Sequence, residues 1–154
     1  MQLEGLDALA FKFFREFSRC EYCLKVVGYR EQSRDAKPDW SALARQLEDV
    51  FSDPPDPKIS VAVKYLLENP PKKQIVDNGS LAWENRLPDC ESQAQLILLL
   101  VKRVRNNLFH GGKFNGRWLE PGRSEELLKQ GLVILEACIE NDGLMNEAYN
   151  QKAI

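Results

Sequence analysis

The sequence predicts an all-α fold: a single helical bundle of about four to five main helices occupying residues 1–154 as one domain. Three observations predict it. Apolar residues recur at spacings of three and four along most of the chain. Prolines and glycines cluster between the periodic segments. No alternating strand pattern, internal repeat or low-complexity stretch stands out. The length of 154 residues suffices for one domain with a real core. Hydrophobic and charged contents of 44% and 29% are ordinary for a globular protein.

Leu6, Leu9, Ala10, Phe13, Phe14, Phe17, Cys20, Tyr22, Leu24 and Val27 form one apolar stripe, which predicts a long first helix over residues 5–29 with Gly28 near its stop. Residues 30–37 are polar and read as a loop. Asp39 is a plausible N-cap for a second helix whose apolar face is Trp40, Leu43, Leu47, Val50 and Phe51. Ser52-Asp-Pro-Pro-Asp-Pro57 ends it, because proline cannot continue the hydrogen-bond ladder. A third helix follows over residues 59–68, closed by Asn69-Pro70-Pro71. Residues 72–88 predict a loop with a turn at Asp77-Asn78-Gly79 and a short helical piece carrying Trp83. A fourth main helix runs from Cys90 to about Phe109, with Leu96, Leu99, Leu100, Val104 and Leu108 facing the core and Gly111-Gly112 as its stop. A glycine-rich turn with Trp118 spans residues 114–122. The last long helix covers residues 124–139, with Ser124 as N-cap, and extends past Gly143.

The formal net charge of −2 argues against a protein whose whole surface clings to nucleic acid, and leaves room for a local basic patch. No stretch approaches the roughly 18 apolar residues of a membrane span, and the first twenty residues lack a signal-peptide pattern. The expectation is a cytoplasmic protein without membrane contact. Its four cysteines should then be free thiols. Cys20-Glu-Tyr-Cys23 has the formal Cys-x-x-Cys spacing, but it sits in a helical pattern with no second pair. Buried thiols are expected there rather than a metal or redox site.

The chemistry-bearing stretch is Arg103-Val-Arg-Asn-Asn-Leu-Phe-His-Gly-Gly-Lys113, which holds the one histidine of the chain. Between positions 102 and 123 the basic residues are Lys102, Arg103, Arg105, Lys113, Arg117 and Arg123, against the single acid Glu120, a local excess of +5. Such a patch in an acidic protein suggests an anionic ligand such as a phosphate backbone. Cations completing a helix C-terminus, and glycines serving only as a cap, are the plainer alternative. Spacing favours the first reading. Asn106 and His110 lie four apart on one helical face, and the Arg105 side chain can reach the imidazole. Lys102, Arg103, Lys113 and Arg117 are the candidate phosphate contacts. A guanidinium grips phosphate oxygens and stabilises growing negative charge. An imidazole can move the proton of a 2′-hydroxyl nucleophile or of a leaving oxygen. RNA supplies that hydroxyl, so no metal or other cofactor is required. With one histidine per chain, two copies paired about a two-fold axis would supply both a base and an acid.

Arg105-Asn-Asn-Leu-Phe-His110 fits the Arg-x(4–6)-His motif of the HEPN superfamily, including the polar residue after the arginine. Its setting, Val-Lys-Arg-Val-Arg-Asn-Asn-Leu-Phe-His-Gly-Gly-Lys, resembles the motif helix of many bacterial HEPN proteins. Phe-Phe-Arg-Glu-Phe-Ser-Arg-Cys-Glu-Tyr-Cys-Leu-Lys-Val-Val-Gly-Tyr is similar to their first helix. The resemblance implies a helical homodimer with metal-independent endoribonuclease activity, commonly in a toxin–antitoxin or anti-phage system, where an antitoxin or another defence protein is a further partner. It implies Arg105 and His110 as the catalytic pair and Asn106 as their polar helper, and it raises Glu21 as a first-helix residue facing the site, against a plain solvated role. One departure is Gly112, where many toxins restrained by a nucleotidyltransferase carry a tyrosine. The alternative reading is a non-catalytic HEPN-like helical module that binds RNA or protein.

Overall fold

The structure is a computed structural model describing residues 3–110, 113–114, 117–118 and 121–150, with side chains for residues 5–108 and 122–150. The N-terminal apolar stripe forms helix α1 (Leu3–Val27), which gives way at Gly28, whose φ of +102° favours glycine. Asp39 accepts a hydrogen bond from the Ala42 N–H (3.1 Å) and starts α2 (Trp40–Gln46). The expected second helix is then broken in two. At Leu47 the backbone leaves helical geometry (φ −107°, ψ 18°), and α3 (Glu48–Ser52) restarts after it. No proline or glycine marks this break. Leu47 is buried, so burial of its side chain accompanies the bend.

Asp56 caps α4 (Pro57–Glu68), accepting from the Ile59 N–H at 2.9 Å, with Pro57 in the first turn where its missing N–H costs nothing. After α5 (Gln93–His110) comes α6 (Pro121–Glu140). The expected extension past Gly143 is a separate helix, α7 (Gly143–Tyr149), because Asp142 interrupts the chain and caps the new N-terminus through the Met145 N–H (3.0 Å).

The all-α expectation is corrected by two antiparallel hairpins. Residues 72–88 hold no helical piece. They form β1 (Lys73–Asp77) and β2 (Ser80–Glu84), paired in register with Gln74 opposite Trp83 and Val76 opposite Leu81. The reason is the connection. Asn78 (φ +50°) and Gly79 (φ +77°) both take positive φ, the two-residue turn whose twist matches that of antiparallel strands. A shorter pair, β3 (Lys113–Phe114) and β4 (Arg117–Trp118), lies in the segment expected to be a turn. The fold is thus mostly helical with small sheets. Among the described residues no helix is long and apolar enough to cross a membrane.

α1 packs against α6 and α7, α4 against α6, and α2 and α3 against α5. The α1–α6 crossing is close. A Cβ on Gly131 would stand 2.8 Å from Cε2 of the buried Phe13 ring. Phe13 continues through Phe17 (ring centroids 6.1 Å apart) to Trp40 (5.2 Å from Phe17). α7 is tied down by polar contacts: the Tyr29 hydroxyl donates to Asp142 Oδ2 (2.8 Å), and the Tyr149 hydroxyl donates to Glu16 Oε2 (2.7 Å).

Two outcomes follow from this packing. Gly131→Ala lowers stability by about 1–3 kcal/mol, the usual cost of overpacking; adding Phe13→Leu recovers part of the loss in thermal melts, since the two sites share one contact. Burial, followed by the Asp142 hydrogen bond, raises the Tyr29 pKa from its ordinary value to about 12. The protonated phenol therefore favours the folded state. Its contribution is complete below about pH 10, the usual tyrosine value, and is lost as pH rises through about 12. Melting temperature should fall across that window, and less so in Tyr29→Phe.

Candidate functional site

α5 carries the motif, and its faces are sharply divided. Ser92 accepts from the Gln95 N–H (3.1 Å) at its start. Ala94, Ile97, Leu98, Val101 and Val104 are buried in the core. The opposite strip runs through Leu99, Lys102 and Asn106, and one turn further the helix reaches its last residue, His110.

The flank of α5 beside the hairpin is a fastening. Arg103 is only 8% exposed, and its Nη1 donates to the carbonyls of Pro71 and Arg86, both at 3.3 Å. Burial pulls the Arg103 pKa below its ordinary value, and the nearby Glu84 carboxylate pushes it back up. Asn107 donates to the Lys72 carbonyl (2.7 Å), and Arg123 Nη2 on α6 donates to the Pro70 carbonyl. Three side chains from two helices thus hold the segment that leads into β1. Of the residues expected to contact phosphate, Arg103 is placed as a strut.

The fastening holds β1 beside α5 and leaves a groove of about 460 Å³ between them. Lys73 and Gln74 of β1 form one wall, and Leu99, Lys102 and Asn106 form the floor. Arg103 and Asn107 close its side, and among the described residues no carboxylate lines it. On the other flank of α5, Arg105 lies with its guanidinium carbon 5.9 Å from the centroid of the Phe17 ring. Its Nη1 donates to Asn106 Oδ1 at 3.0 Å. Arg105 and Asn106 are therefore brought together. The side chains of His110, Lys113 and Arg117, together with Gly111-Gly112, lie outside the described residues.

Glu21 is engaged elsewhere: Oε2 accepts from the Trp40 indole N–H at 3.0 Å. Cys20, Cys23 and Cys138 are buried free thiols, and burial raises the pKa of each, which disfavours the reactive thiolate. Cys90 is half-buried and also free. Among the described residues no group of three or more His, Cys, Asp or Glu side chains could hold a metal ion.

Sequence reasoning placed Lys73 and Gln74 in a loop and did not single them out as neighbours of the α5 motif. The signal available was the pair of lysines, Lys72 and Lys73, following Pro70-Pro71 at the start of the hairpin. No protein-family model matches the chain, and neither a curated protein nor a solved structure matches it at a significant level.

Arg103→Ala should orphan the carbonyl of the buried Pro71 and cost about 1–3 kcal/mol. Limited proteolysis then cuts faster between residues 70 and 88. Arg103→Lys restores little, because an ammonium does not reproduce the planar fork of donors.

Proposed function

We propose that this chain is a metal-independent endoribonuclease of the HEPN type that works as a homodimer in a toxin–antitoxin or anti-phage defence setting. The observation that carries the reading is the hydrogen-bonded Arg105–Asn106 pair, one turn before His110 and beside a groove lined by cations and amides. The HEPN-like motif from Arg105 to His110 supports it.

In this chemistry the RNA 2′-oxygen attacks the adjacent phosphorus and the 5′-oxygen leaves. Arg105 stabilises the charge that grows on the non-bridging oxygens. Asn106 orients the guanidinium through its Oδ1. One His110 imidazole accepts the 2′-hydroxyl proton, and a second copy, from a paired chain, protonates the leaving 5′-oxygen. Lys102 holds a neighbouring phosphate. The products are a 2′,3′-cyclic phosphate and a free 5′-hydroxyl.

A second reading, a binding module without turnover, draws on the position of Arg105 over Phe17 and against Asn106, contacts that also serve a structural arginine. Incubating purified protein with total RNA separates the two. Wild type yields cyclic-phosphate ends with or without EDTA, and His110→Ala or Arg105→Ala lowers the rate by about 10²–10⁴ with the fold retained. Equal cleavage by His110→Ala removes the catalytic reading. Salt-sensitive binding with no product establishes the second.

A further inference from the structure

We propose that the β1–β2 hairpin holds single-stranded RNA in the groove, with Trp83 stacking on a base beside a phosphate track formed by Lys73 and Lys102. The proposal rests on the RNA reading of the same site.

The first observation is charge. In a chain of net charge −2, the groove draws cations from two separate elements and, among the described residues, is lined by no acid. Lys102 comes from α5 and Lys73 from β1, so an extended anion lying between the elements meets both. The second is the aromatic ring. This chain buries Trp40 to 6% exposure yet leaves Trp83 at 40%. Trp83 sits directly opposite Gln74, a wall residue of the groove, and cross-strand partners share one face of a hairpin. The indole therefore stands beside Gln74 on the outward face of the hairpin, which Val76 and Leu81, 72% and 73% exposed, extend; Lys73 and Glu84 belong to the opposite face, and the groove takes in β1 at both Lys73 and Gln74.

A cationic track beside an exposed indole is the chemistry of single-strand binding, in which the backbone follows the charge and a base stacks on the ring. Duplex RNA suits it poorly, because its bases are already stacked and its major groove is too narrow for side chains. One group works against binding. Glu84 lies directly across the hairpin from Lys73 and close to Arg103, and it partly offsets their charge. Its removal should strengthen binding, an effect that a purely structural hairpin does not predict.

The test is fluorescence polarisation with a labelled oligodeoxynucleotide of roughly ten nucleotides, within the usual site sizes of single-strand binders. Lacking 2′-hydroxyls, it reports binding without cleavage. Trp83→Ala should weaken binding about tenfold and Trp83→Phe should keep most of it. Lys73→Ala should weaken binding and reduce the slope of log affinity against log salt by about 0.7. Glu84→Gln should tighten binding by about threefold, the scale of one exposed charge. A duplex of equal length should bind more weakly than the single strand. Circular dichroism checks that each variant is folded.

Unchanged affinity in folded Trp83→Ala overturns the proposal, as does an absence of binding by wild type at low salt. So does a change in sedimentation of Val76→Ser or Trp83→Ala with affinity untouched, which would make the hairpin face a protein interface. Failure of the catalytic reading appears separately, as RNA breakdown that ignores His110→Ala.

Discussion

Pro70 and Pro71 present backbone carbonyls in a segment whose own imino nitrogens can donate nothing. Arg103, Asn107 and Arg123 supply donors to the carbonyls of Pro71, Lys72 and Pro70. Water would serve those carbonyls if the segment lay free on the surface, but Pro71 is buried, so protein donors must replace it. The result is a β-hairpin anchored to α5 at its base and left open at its tip. The groove exists because this anchor holds β1 at a fixed distance from the outward strip of α5. An arginine suits the position: Arg103 reaches two carbonyls from separate segments, Pro71 before the hairpin and Arg86 after it.

Charge is divided across the molecule in a way that the net value hides. At the seam of α1, α6 and α7 a second cavity, about 390 Å³, is lined by Glu16, Glu136 and Glu140 with Lys12. Burial and a hydrogen bond with Glu136 raise the Glu140 pKa, the mark of carboxylates crowding one another. The groove beside α5 has the reverse character. Fields of opposite sign at the two places would repel a polyanion from the first and draw it to the second. The division also gives the buried thiols a plain place. Cys20 and Cys138 lie within the packed helices, and burial keeps them protonated.

The helices were legible because each buries one stripe, as Phe13, Phe17 and Leu24 do on α1. On α5 the stripe expected from Leu96, Leu99, Leu100, Val104 and Leu108 is offset: Leu100 and Val104 are buried, but so are Ile97, Leu98 and Val101, while Leu99 lines the groove. Caps were legible where a side chain is committed locally, as at Asp39. The β1–β2 hairpin was not, because its strands do not alternate apolar-in and polar-out. Val76, Leu81 and Trp83 face outward while only Ile75 and Ala82 turn toward the protein, so Asn78-Gly79 alone signalled it. The break at Leu47 escaped because neither a proline nor a glycine marks it. Lys102 was singled out by charge alone, whereas the shared face of Asn106 and His110 was readable from helical period. The strut role of Arg103 was not, since a tally of charges cannot say which donors are spent on distant carbonyls.

The two-residue connection at Asn78-Gly79 also limits how this hairpin can change length. Side chains alternate faces along a strand, so dropping or adding one residue in β2 would send Trp83 to the opposite side and bring Glu84 or Ala82 to the outward face. Paired changes preserve the arrangement and lengthen or shorten the arm in steps of two. The reach of the arm is thus quantised by the pleat, with the outward placement of its indole conserved only at even increments.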